Sequence, residues 1–71
     1  DDVTVKFGED LNENTQLEIY AADGRIVKSI TLNQGMNQVQ FSIANLENAL
    51  YWVVINPDSE SPIRQRLMIL R

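Results

Sequence analysis

The residue types that most often carry enzyme chemistry are absent from this sequence of 71 residues. It contains no His and no Cys, which removes the commonest general base, the commonest ligand of transition metals and the thiolate nucleophile. Without Cys there is no disulfide, so cysteine usage indicates no redox compartment. The composition therefore predicts a protein that is not an enzyme and that needs no cofactor.

An acidic loop early in the chain begins like a calcium-binding loop, because Asp10, Asn12 and Asn14 occupy alternate positions. The pattern then fails. Such loops need Gly at the sixth position and Glu at the twelfth, where this chain has Thr15 and Ala21. We therefore expect a solvated turn and no metal site.

A second group of polar residues, Asp58, Ser59 and Glu60, resembles the paired carboxylates of acid and base catalysis. Nothing in the surrounding pattern supplies a nucleophile or a group that would orient one. This segment is predicted to be a solvated loop.

Three aromatic residues, Tyr20, Tyr51 and Trp52, are candidates for a platform on which a sugar ring would stack. Tyr51 and Trp52 are adjacent, and neighbouring residues of a strand point to opposite faces. At most one of them can belong to such a platform, so packing in the core is the favoured interpretation.

Positive charge gathers at the end of the chain, where Arg64, Arg66 and Arg71 follow one another without an acid from Ile63 onward. One interpretation is a charged edge that discourages aggregation. The other is a contact surface for an acidic partner.

The rest of the charge is distributed unevenly. Residues 1–24 hold seven acids and one base, whereas residues 25–71 hold three acids and five bases. A net charge of −4 disfavours binding to nucleic acid, whose attraction depends on clustered cations. The longest apolar run, Ala49–Ile55, is much shorter than the roughly 20 residues of a membrane-spanning helix.

Apolar and polar residues alternate with a period of two along most of the chain, which indicates β-strands. No segment shows a sustained helical period. Turn residues separate the strands, among them Asp23–Gly24, Gly35 and the Asn-Pro and Ser-Pro steps near the end. The predicted strands are residues 3–7, 17–21, 25–32, 37–43, 50–55 and 63–71.

Three details follow from these patterns. Asp23–Gly24 predicts a type I′ hairpin turn with positive φ angles. Ile26 falls in register with Ile30 and Leu32, which predicts that all three face one side. The strand at residues 50–55 loses alternation, as expected of a central strand covered on both faces.

Six strands joined by short turns predict an all-β domain over residues 1–71. We expect a small antiparallel β-sandwich of the Ig-like, Greek-key kind, with six to seven strands. A single sheet is the alternative. The chain begins at Asp1 without an initiator Met or a basic and apolar leader, so we expect it to be a processed or excised piece of a longer protein.

The order of three motifs resembles the C-terminal sorting domains of the type IX secretion system of the Bacteroidetes. The first is the turn GRIV at residues 24–27, and the second is NLENALY at residues 45–51, with Ala49 where the family usually has Gly. The third is the basic, apolar terminus RQRLMILR. The resemblance covers residues 15–71 and assigns motif or recognition roles to Gly24, Arg25, Val27, Asn45, Leu46, Tyr51, Arg64, Arg66, Leu70 and Arg71.

This resemblance implies a non-catalytic export signal that forms the C-terminal domain of a larger exported protein. The passenger would reach the periplasm through an ordinary signal peptide and would then cross the outer membrane to the cell surface or the medium. Its implied partners are the type IX machinery and a sortase-like protease that removes the domain. The competing hypothesis is an accessory module of a secreted protein, either structural or carbohydrate-binding.

Overall fold

The alternating segments form six β-strands in the structure, a computed structural model that describes residues 2–58 and 60–70. No helix occurs within these residues, and the prediction of an all-β domain is confirmed. The strands are β1 (Asp2–Lys6), β2 (Thr15–Ala21), β3 (Ile26–Leu32), β4 (Gln38–Ser42), β5 (Ala49–Ile55) and β6 (Ile63–Ile69).

The strands make two antiparallel sheets. One contains β1 and β4, and the other has the order β3-β2-β5-β6. The chain passes from one sheet to the other after β1, after β3 and again after β4. Because apolar side chains between the two sheets form one core, the sandwich is confirmed and the single-sheet alternative is wrong.

The core lies between the inner faces of the two sheets. Leu17 and Ile19 of β2 and Ile55 of β5 are at most 1% exposed, and Val39 and Phe41 of β4 cover them from the small sheet. Val39 and Phe41 alternate along β4 with exposed polar neighbours, and Leu17 follows the same rule on β2, where Gln16 and Glu18 flank it. The hydrophobic effect on this one face therefore fixes the strand register.

β5 is an inner strand of its sheet, paired with β2 on one side and β6 on the other, as predicted. The prediction that both of its faces are covered is wrong, because the described part of the chain covers only one of them. Tyr51 and Val53 are buried, whereas Trp52 between them is 41% exposed. The apolar run therefore has one face in the core and one that opens to solvent.

The turn between β2 and β3 differs from the predicted type. Gly24 has a φ of +93° as expected, but Asn56 is the only non-glycine residue with positive φ in the described part of the chain. A type I′ turn needs positive φ at two positions, so Asp23 excludes it. The backbone N–H of Gly24 donates to the carbonyl of Ala21 at 3.0 Å, and that of Ala21 donates to Arg25 at 2.8 Å, as in a three-residue hairpin loop.

A β-bulge in β3 also corrects the predicted register. Ile19 lies opposite Lys28, but the next residue, Tyr20, lies opposite Ile26, which leaves Val27 as the extra residue. Val27 packs against the core, while Ile26 is 53% exposed. The expectation that Ile26 shares a face with the core side of β3 is therefore wrong.

The corner before β5 is held by a side chain from that strand. The hydroxyl of Tyr51 donates to the backbone carbonyl of Glu47 at 2.8 Å, and the N–H of Leu46 donates to Ile43 at 3.0 Å. The tyrosine corner of Ig-like sandwiches works in the same way. Ala49 starts β5 without a positive φ, so this corner closes without Gly.

Candidate recognition surface

β6 is an edge strand. It pairs with β5 from Ile63 opposite Ile55 to Ile69 opposite Ala49, and no described strand pairs with its other side. Half of its backbone N–H and C=O groups therefore face outward along the edge. Such an edge can accept a strand from another chain.

The first four side chains of β6 are exposed, and its last three alternate between the core and the solvent. Ile69 is 2% exposed and Leu67 packs against the core, whereas Arg64 and Arg66 are exposed. Among residues 2–58 and 60–70, the ion pair found within 4 Å joins Arg25 to Asp23 at 2.9 Å. Both arginines of β6 are thus available to a partner.

Trp52 belongs to a row of four residues across the outer face of the large sheet. The register places Ile26, Tyr20, Trp52 and Arg66 side by side on β3, β2, β5 and β6. The prediction of core packing holds for Tyr51, which is 5% exposed, and is wrong for Trp52. Two of the three candidate aromatics therefore lie together outside the core.

Tyr20 is fixed in this row by an acid two residues earlier on its own strand. Its hydroxyl donates to Oε1 of Glu18 at 2.7 Å. That hydrogen bond raises the pKa of Tyr20 above its usual value of 10.0, and the nearby negative charge acts in the same direction. The hydrogen bond limits the rotation of the phenol beside Trp52.

A shallow groove of about 400 Å³ runs along this face. Its sides combine apolar and cationic groups, with Tyr20, Trp52 and Val54 along the strands and Arg64 at the β6 side. Residues of the hairpin and of the loop before β6 close its ends, namely Ala21, Ala22, Gly24, Pro57 and Pro62.

The two polar loops singled out from the sequence lie in different places. Pro57 and Pro62, which flank the later loop, line the groove, and the negative charge of Asp58 helps to raise the pKa of Tyr20. Asn14 has a structural use, because its Oδ1 accepts a hydrogen bond at 2.8 Å from the backbone N–H of Gln34. Asp58 and Glu60 flank Ser59, which lies outside the described residues. In the described chain no three acidic side chains converge as metal ligands would, and no helix suited to crossing a membrane is present.

Comparison with known proteins identifies the family. A family model described as a secretion system C-terminal sorting domain matches residues 1–70. The chain belongs to this family. The resemblance to type IX sorting domains is thereby confirmed. Neither a curated protein nor a solved structure matches the chain.

The motif residues of the sorting domain occupy two structural corners and one edge. Gly24 ends the three-residue hairpin loop, Arg25 follows it, and Val27 is the bulge residue that packs inward. Asn45 is exposed in the second corner, which Leu46 and Tyr51 anchor to the core. Of the terminal group, Arg64 and Arg66 lie on β6, Leu70 is 79% exposed just beyond it, and Arg71 lies outside the described residues.

Sequence reasoning did not find that Trp52 and Tyr20 share a face with the arginines of β6. One signal was present, because the four residues Tyr20, Trp52, Arg64 and Arg66 are all even-numbered. Residues of equal parity within a strand share a face. Across strands, parity is informative only when the pairing is known, and here it is Tyr20 with Trp52 and Trp52 with Arg66.

Proposed function

We propose that this sorting domain is the C-terminal domain of a larger exported protein and directs that passenger across the outer membrane by type IX secretion. The family match supports the class of function, and sorting domains of this family are not known as catalysts. The passenger passes through the periplasm and reaches the cell surface or the medium, where a sortase-like protease removes the domain.

Within this function, β6 is the element that the secretion machinery reads. The observation that supports this assignment is the combination of an unpaired strand edge with two exposed arginines that form no ion pair within 4 Å among the described residues. The edge offers main-chain hydrogen bonds, and Arg64 and Arg66 offer two charges that select an acidic partner and accelerate its association.

The experiment fuses residues 1–71 to a reporter that is exported to the periplasm of a host with type IX secretion. The intact fusion should deliver the reporter to the surface or the medium. Arg64→Glu combined with Arg66→Glu should leave the reporter in the periplasm, because the two substitutions reverse the charge that the machinery is proposed to read. Both side chains are exposed, so the substitutions spare the core. Lys6→Glu with Lys28→Glu is the matched control, with the same change in net charge at two positions away from β6.

Deletion of residues 67–71 should also abolish export, but it removes Ile69, which is 2% exposed, and so tests folding as well. Export of the reporter without this domain, or no export of the intact fusion, contradicts the sorting assignment. If the deletion abolishes export but the Arg64→Glu, Arg66→Glu double variant is still exported, electrostatic recognition is excluded. The assignment as a sorting domain is then left intact.

A second candidate function is an accessory carbohydrate-binding module, which the exposure of Trp52 beside Tyr20 favours. A sugar ring stacked on the indole would change its fluorescence and would stabilise the native state by mass action. A saturable change in Trp emission, together with a higher melting temperature in the presence of soluble glycans, would support this candidate. We expect neither change.

A further inference from the structure

The outer face of the large sheet is apolar at its centre, although no described residue covers it. Three of the five large hydrophobic side chains that are exposed in the described chain, Ile26, Trp52 and Met68, lie on this face. Half-buried Val54 and Leu50 flank Trp52 on β5. A patch that crosses all four strands is typical of an interaction site.

Charges of opposite sign flank this apolar centre. One cross-strand row places Glu18 on β2 and Arg64 on β6, with Val54 of β5 between them. Two strand spacings separate the acid from the base, about 10 Å, and they form no ion pair within the chain. The face is therefore positive on the β6 side of Val54 and negative on the β2 side.

We propose that this outer face binds the same face of a second copy of the chain, related by a two-fold axis that runs along β5. Rotation by a half turn about that axis places β5 on β5, and it places β6 of each copy over β2 of the other. Each Arg64 then meets Glu18 of the other copy, each Arg66 meets Tyr20, and the two Trp52 side chains lie at the centre. The face is complementary to itself, as a two-fold interface requires.

The twist of β-sheets does not disturb this arrangement much. Packed sheets cross at about 30°, and a residue one strand spacing from the axis, about 4.8 Å, is then displaced along the strand by about 2.4 Å. The long side chain of Arg64 can follow such a shift. Arg66 over the ring of Tyr20 would add a cation–π contact.

The overlap of the two faces limits the strength of the association. With the axis along β5, the overlap contains β2, β5 and β6 of each copy, and β3 of each copy extends beyond it. Three strands of seven residues make an overlap of roughly 14 by 23 Å, so that two faces bury about 650 Å² before the relief of the side chains is counted. Because that area is smaller than a stable interface requires, we expect a weak, reversible dimer that dissociates at micromolar concentration and forms as the concentration approaches about 1 mM.

This association goes beyond the sorting function and has a consequence for it. Arg64 and Arg66 lie in the dimer interface, so a dimer would cover the side chains that the secretion machinery is proposed to read. Binding to the machinery and binding to a second copy are then mutually exclusive.

Sedimentation of the purified 71-residue chain tests the proposal. The mass should rise from 8.1 kDa towards twice that value as the concentration is raised from about 1 μM to about 1 mM. Arg64→Glu should weaken the dimer at least about tenfold, because it creates two like-charged pairs across the axis. Combining Arg64→Glu with Glu18→Arg should restore the dimer, because both pairs again have opposite signs.

Lys6→Glu provides the matched control, since it makes the same change in charge on the small sheet and should leave the dimer intact. Urea unfolding of each variant confirms that the monomer is folded. A wild-type chain that stays monomeric over the whole range would overturn the proposal and would leave the face to another partner. Failure of the charge exchange to restore the dimer, or equal weakening by Lys6→Glu, would overturn it as well.

Discussion

The two adjacent valines of β5 offer a direct test of which face of this strand the chain itself covers. Val53 is 2% exposed and lies in the core between Ile19 and Gln65, whereas Val54 is half-buried on the outer face between Glu18 and Arg64. Replacing each valine in turn with Ala makes the same chemical change in the same strand. Any loss of β-propensity is similar at both positions and cancels in the difference.

The expected magnitudes follow from burial. Val53→Ala removes the equivalent of two buried methylene groups, about 1.6 kcal/mol, and leaves a cavity of roughly 40 Å³ that adds about 1 kcal/mol. Val54→Ala loses about half of the transfer free energy, about 0.8 kcal/mol, and leaves no cavity because Val54 already lines an open groove. The two variants should therefore differ by about 1.5 to 2 kcal/mol.

Urea unfolding followed by far-UV circular dichroism measures this difference. With a slope of about 1 kcal/mol per M, the midpoint should fall by about 2.5 M for Val53→Ala and by about 0.8 M for Val54→Ala. The protein concentration must be low, about 1 μM, so that any dimer is dissociated. Equal and large shifts would show that the chain covers both faces of β5, and the reasoning from the structure would be refuted.

Three further predictions concern the hairpin, the corner and the outer face. Gly24→Val should lower the free energy of unfolding by roughly 1 kcal/mol or more, because φ is +93° there and a β-branched residue is strained in that region; an unchanged urea midpoint would mean that the loop relaxes without cost. Tyr51→Phe should cost about 1 kcal/mol, since it removes the hydrogen bond to the carbonyl of Glu47, and a melting temperature equal to that of the wild type would show that this bond does not hold the corner. Glu18→Gln should lower the pKa of Tyr20, which the hydrogen bond to Glu18 raises, as measured by ultraviolet titration in the Tyr51→Phe background. Because the raised pKa belongs to the folded state, the stability that it contributes is present below pH 10 and is lost as the pH rises through the folded pKa; a Tyr20 pKa that does not move in the Glu18→Gln variant would contradict this cause.

Strands with one buried face could be predicted directly from the sequence. Leu17 and Ile19 alternate with polar residues, and Val39 and Phe41 do the same. A period of two is a direct consequence of strand geometry, so the pattern alone locates such strands. The family motifs could also be recognised in the sequence, although the hydrogen bonds that hold their corners cannot be predicted from residue spacing.

The errors occurred where the backbone departs from the regular repeat. The bulge at Val27 moves Ile26 to the opposite face, and an inserted residue in one strand leaves no mark in the alternation that precedes it. The loop at Gly24 has the same sequence signal as a type I′ turn. It is distinguished by the φ of Asp23, which is not positive, and by the hydrogen bonds that Ala21 makes to Gly24 and Arg25, and both depend on how the two strands meet.

The prediction that both faces of β5 are covered fails for a different reason. A run of apolar residues on both faces of a strand favours coverage of both faces, but it does not indicate which chain covers them. Trp52 and Val54 follow the pattern of a strand covered on both faces, yet within the described residues only the opposite face is covered. If a second copy covers the outer face, the same pattern describes the dimer correctly. Val54→Ala should then destabilise the chain more at high protein concentration than at low concentration, because the substitution also weakens an association that stabilises the folded state.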